Sequence, residues 1–141
     1  MDALFKRYEE IKDGDDENLK LALAESISLA LLVHTQIEEE IFYPKVRQAL
    51  GEEGADEVDE ALVEHQAAKD LIEKIEAMEP GEELFDARVH VLSEEIRHHV
   101  QEEEHEMFPA VQKSGKLDLK ALGEQLARRK DALTRELANE D

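Results

Sequence analysis

HTQIEEEIFYP, residues 34–44, and HVQEEEHEMFP, residues 99–109, are two versions of one phrase. Each opens on histidine, places glutamine two residues on and glutamates at the next-but-one positions, and closes on an aromatic residue followed by proline, Tyr43-Pro44 and Phe108-Pro109. A step of four residues stacks side chains on one face of a helix. His34 with Glu38, and His99 with Glu103, are therefore aimed from one helical turn at a common point.

The surrounding chain is written for helices. Of its 141 residues, 41% are apolar and 38% charged, six are aromatic, and glycine and proline together number nine, so Ala, Leu, Glu and Lys/Arg dominate. That length implies one domain, residues 1–141, around a single core. Turn-forming stretches divide it: DGDDEN at 13–18, GEEGAD at 51–56, EPGEE at 79–83 and KSGK at 113–116. Five helical segments follow, about 2–12, 16–50, 55–78, 83–113 and 117–138. Asp16 and Asp118 are placed to cap the second and fifth, and Pro80 marks the end of the third. Short connections make neighbours antiparallel, which predicts an all-α, four-helix up-down bundle with a shortened first helix and an additional C-terminal helix.

The inward stripes carry the unusual residues. In the second segment the stripe reads Leu23, Ile27, Leu31, His34, Glu38, Ile41; in the third Val58, Leu62, His65, Lys69, Ile72; in the fourth Phe85, Val89, Leu92, Ile96, His99, Glu103, Met107. Three histidines and two glutamates occupy positions where leucine belongs, all near mid-helix. A buried carboxylate costs several kcal/mol unless neutralised. Lys69 is the only evident basic residue on these stripes, so divalent cations are the natural counter-charge. His34, Glu38, His65, His99 and Glu103 make a five-ligand pocket of nitrogen and oxygen donors that suits iron, manganese or zinc. The competing reading rotates the faces so that the glutamates reach water. Two matched pairs and a third histidine at the same depth argue against it.

Taken together, His34–Pro44, Glu64-His65 and His98–Pro109 resemble the hemerythrin-like, or HHE cation-binding, domain family, and the resemblance runs through nearly the whole chain to the LDLKALGEQLARRK tail. It implies a four-helix bundle holding a non-haem di-iron centre, with carboxylates bridging two metals and histidines capping them. Carried over by position, His34, Glu38, His99 and Glu103 match the second- and fourth-helix ligands, and His65 the third-helix histidine. Three positions depart from the pattern. MDALFKRYEEIK has no histidine where the family supplies a first-helix ligand, Lys69 stands where oxygen carriers have a second third-helix histidine, and Thr35 stands where some iron-sensing relatives have a carboxylate. The resemblance therefore implies fewer protein ligands and more open positions than in a full oxygen carrier.

Two functional readings follow. The first is a di-iron protein whose open metal positions bind or react with dioxygen, peroxide or nitric oxide, in sensing, binding or detoxification; weak peroxide or oxidase-type activity is compatible with it. Here Lys69 either hydrogen-bonds a metal-bound oxygen species or snorkels to the surface. The second is a helical interaction or regulatory module that descends from a metalloprotein and binds no metal. A ferritin-like site would require paired Glu-x-x-His motifs, which EEHQ and EHHV do not provide.

Other features set the partners. A formal charge of −20 disfavours nucleic acid and anionic lipid. The chain has no cysteine, no apolar run near the roughly 20 residues that span a bilayer, and no secretory h-region in MDALFKRYEE, which points to the cytoplasm. A short first helix leaves apolar faces uncovered, so a homodimer is expected. His90, Glu94, His98, Glu102 and His105 form a second stripe that reads as a solvated face, with zinc or nickel capture as the alternative. Tyr8 and Tyr43 read as ordinary bundle packing.

Overall fold

The computed structural model describes residues 2–138, and every described element is helical. Helix α1 spans Asp2–Ile11, α2 Glu17–Ile37, α3 Tyr43–Leu50, α4 Glu52–Glu76, α5 Phe85–Glu102, α6 Phe108–Ser114 and α7 Leu119–Ala138. The wider turns Glu38–Phe42 and Glu103–Met107 join α2 to α3 and α5 to α6, so the second and fourth expected segments are continuous rods. The caps stand where the sequence places them: the Asp16 carboxylate accepts from the Leu19 N–H at 2.9 Å, and Asp118 from Ala121 at 3.1 Å.

The GEEGAD stretch is a tighter corner than expected. Only Gly51, at φ +58°, breaks the helix, and α4 begins at the next residue. Gly54 lies inside α4, where a Cβ would stand 2.8 Å from that of Leu50, so its role is a close helix crossing and not a turn.

Each copy of the duplicated phrase contains one π-helical turn at the same place. The N–H of Tyr43 reaches the carbonyl of Glu38, and that of Phe108 the carbonyl of Glu103. Pro44 and Pro109 supply the cause: proline has no N–H, and its ring clashes with the carbonyl four residues back, so the tighter α pattern cannot run through. The turn also corrects the inward stripe. Buried positions continue from Glu38 to Phe42 and Val46 in steps of four, leaving the expected Ile41 half-buried. In α4 the buried line is Val58, Ala61, His65, Ala68 and Ile72, so Leu62 and Lys69 stand beside the core and not in it.

Two apolar clusters fill the bundle. One gathers Phe5, Tyr8, Ile27, Leu31, Phe85 and Leu92 with their neighbours. The other joins Phe42, Tyr43, Val46, Val58, Met107 and Val111 to Leu122 of α7. The polar residues of the stripes lie between these clusters along the helices, which exclude water from both ends.

Helix α1 is anchored by Tyr8, whose buried hydroxyl donates to Asp86 at 2.6 Å while Lys20 Nζ approaches the other carboxylate oxygen at 3.3 Å. Burial, reinforced by the Asp86 hydrogen bond, raises the Tyr8 phenol well above its usual range. Tyr8 is thus a packing residue of the first apolar cluster. Helix α7 lies outside the bundle along α2, with Leu133 packed on Val33 and Ile37. That second cover explains why α2 is apolar on more than one face. An 18-residue window in Glu17–Leu50 reaches a mean hydropathy of 1.2, enough by length and composition for a membrane span, yet half of it is buried inside the protein.

Candidate metal centre

The five residues picked out in the sequence meet at one place. Glu38 Oε1 lies 2.8 Å from His34 Nε2, 3.2 Å from His65 Nε2 and 3.4 Å from His99 Nε2. His99 Nε2 contacts Glu103 Oε1, and the Nε2 atoms of His65 and His99 are 3.1 Å apart. Donor atoms of His34, Glu38, His99 and Glu103 all fall within 4.8 Å of one another. Glu38, His65, His99 and Glu103 are buried and His34 is half-buried.

Tyr43 belongs to the same cluster, which corrects its reading as ordinary packing. Its hydroxyl lies 3.1 Å from His65 Nε2 and 3.2 Å from His99 Nε2, and donates to Glu103 Oε1 at 2.9 Å. Burial and the charges of Glu38 and Glu103 raise its phenol far above the ordinary value, so it remains a neutral hydrogen-bond donor here. The widened turn after Glu38 brings Tyr43, only five residues on, back over the same pocket.

Two further carboxylates hold the histidines from behind. Glu39 Oε2 faces His65 Nδ1 at 3.1 Å and is itself held by Lys69 Nζ at 2.9 Å. Glu64 Oε1 faces His99 Nδ1 at 3.2 Å. Lys69 thus neither enters the centre nor simply snorkels to water; it balances the charge of Glu39. Glu39 and Glu64 are sequence neighbours of Glu38 and His65, and a stripe reading passes over them because one residue turns a helix by about 100°. They stand on the flanks, where helices face one another.

The electrostatics show competition for few protons. Burial opposes ionisation of Glu38, but the three imidazoles packed against it, His34, His65 and His99, outweigh it and hold the carboxyl well below its usual range. Burial also opposes charge on His99, yet hydrogen bonds to Glu103 and Glu38 push it up to about 11. Glu103 is raised to about 7 by burial and by Glu38, against the pull of the His99 hydrogen bond. His34 Nε2 is buried and close to Glu38, but lacks the alignment of a hydrogen bond.

This donor set fits a metal. An imidazole whose Nδ1–H is held by a carboxylate presents a bare, more basic Nε2, as metal-binding histidines do. His65 and His99 both have Nδ1 beside such a carboxylate, and their Nε2 atoms point at each other and at Glu38. The second stripe is largely a solvated face, as read from the sequence: His90, Glu94 and His98 are more than half exposed.

A helical bundle with a dry layer of histidines and carboxylates defines a candidate cation-binding protein. The family model described as the hemerythrin HHE cation binding domain matches residues 1–111. The chain belongs to that hemerythrin family, and its sequence resemblance is thereby borne out. A hemerythrin-like protein of Schizosaccharomyces pombe is 29% identical over 119 residues, 79% of this chain and 59% of the relative. A DNA nickase of Nostoc sp. is 36% identical over 81 residues, 57% of this chain and 22% of that protein. The chain therefore spans less than two thirds of either relative. No solved structure matches it.

Proposed function

We propose that this domain holds two non-haem iron ions through His34, Glu38, His65, His99 and Glu103, and that the open positions take up dioxygen, peroxide or nitric oxide in binding, sensing or detoxification. The observation that carries the reading is the convergence of three imidazole nitrogens and two buried carboxylates between two apolar clusters. Glu38, near all three histidines, and Glu103 would hold the ions and offset their charge. Tyr43 adds an oxygen at the same point, able to donate a hydrogen bond to a small bound ligand. Ferrous iron would supply the electrons for such chemistry. The residues supply orientation, charge balance and exclusion of water. Manganese and zinc suit the same donors.

The test is the double substitution Glu38→Ala with His99→Ala, which abolishes stoichiometric iron uptake on this reading. Uptake equal to that of the parent protein rejects the pocket. Self-association as a homodimer belongs to the same proposal. A broad cleft of about 690 Å³ borders α2, α4, α5 and α7, with the half-buried Leu21, Leu29 and Leu32 in its walls. Light scattering that finds only monomer at tens of micromolar rejects that part.

A further inference from the structure

We propose that Glu64, His98 and Glu102 form a second divalent-cation site, open to solvent and adjoining the buried centre. Their donor atoms, one from each side chain, lie within 4.8 Å of one another. Glu64 comes from α4, and His98 and Glu102 from successive turns of α5, so the site clips two helices together.

Convergence separates this group from other His–Glu pairs on the same helix. Both carboxylates face the same ring nitrogen of His98: Glu102 Oε1 lies 2.9 Å from Nε2 and Glu64 Oε2 3.9 Å from it. At His90 the carboxylates flank opposite ring nitrogens, Glu94 at Nε2 and Glu9 at Nδ1, so no single ion can gather all three. One nitrogen and two carboxylate oxygens form a donor set for zinc-like ions, with water completing the shell. Two carboxylates and a neutral imidazole also cancel the charge of a divalent ion.

Apart from His99, which faces Glu64, the surroundings are acidic. Glu64 and Glu102 also border a crevice of about 20 Å³, lined further by Glu57, Glu60 and Glu106, that leads in to His99 and Glu103. That volume is about one water-sized species. Among the described residues, no lysine or arginine forms an ion pair with any of these five carboxylates. Glu57 Oε2 and, on α5, Glu95 Oε2 are buried without a partner. Burial and neighbouring glutamates, Glu64 among them for Glu95, raise both carboxyl groups above their usual range. Glu64 presents its other oxygen to His99 Nδ1 at 3.2 Å, so an ion at the outer site shares a carboxylate with the inner cluster.

The experiment is zinc titration of the full chain by equilibrium dialysis, comparing the parent protein with His98→Ala, Glu102→Gln and His90→Ala, with circular dichroism to verify helix content. His98→Ala is expected to bind one zinc equivalent fewer than the parent, Glu102→Gln to weaken that equivalent at least tenfold, and His90→Ala to match the parent. The difference reads the outer site whether or not the buried centre takes up metal, so it is independent of the proposed function. Equal zinc binding by parent and His98→Ala overturns the assignment, as does an equal loss in His90→Ala.

Discussion

The Nε2 atoms of His65 and His99 face each other across 3.1 Å, each on a ring whose Nδ1 already faces a carboxylate, Glu39 or Glu64. At most one proton fits between the two nitrogens, so their lone pairs converge on a place that favours a cation. Removing the charge behind one ring tests this without touching the converging atoms. Glu39→Gln is expected to weaken metal binding by about 10–100-fold, the range for loss of a carboxylate behind a ligating histidine. Calorimetric titration with unchanged helical circular dichroism checks it, and unaltered affinity would count against the arrangement.

Tyr43→Phe separates the metal-free from the metal-loaded state. The hydroxyl serves His65, His99 and Glu103 in a buried setting. Its loss leaves these groups short of a neutral donor, at a cost of about 1–3 kcal/mol. On the proposed reading bound metal would engage the same three partners, so the stability deficit seen in urea unfolding of the metal-free variant should shrink after loading.

Proton release is a third expectation. With its folded-state pKa pushed from 6.5 up to about 11 by Glu103 and Glu38 against the effect of burial, His99 stabilises the metal-free fold fully below 6.5. That contribution fades as pH rises toward about 11. Metal binding at neutral pH must displace the proton on Nε2, so apparent affinity rises with pH. Titrations in buffers of different ionisation enthalpy should show heat from released protons; buffer-independent heats would contradict it.

The helical period was enough to locate the bundle and the five converging polar residues, because leucine-like spacing holds from Leu23 to Glu38 and from Phe85 to Met107. What it missed lies where the period changes or where helices meet. Pro44 is visible in the sequence, but the π-helical turn it forces moves the inward line from Ile41 to Phe42 and folds Tyr43 over the histidines. Glu39 and Glu64 sit on helix flanks, and only the packing of neighbouring helices shows that each reaches a histidine of another helix. Lys69 was legible as an inward-leaning cation, but its partner Glu39 was not.

The outer helix contributes packing. Leu133 is buried against Val33 and Ile37, so Leu133→Ala is expected to destabilise the protein by about 2–5 kcal/mol through lost burial and an unfilled cavity. Denaturant unfolding reads this directly. Metal stoichiometry should be retained, because α7 supplies none of the converging side chains.

The most direct measurement is anaerobic ferrous iron loading of untagged protein, followed by metal analysis after desalting, with the Glu38→Ala/His99→Ala variant alongside. Stoichiometric iron retained by the parent, lost from the variant and accompanied by a higher melting temperature is the expected result. A parent protein that retains no iron and melts at the same temperature with or without it would contradict the claim that these buried carboxylates and imidazoles are built around a cation.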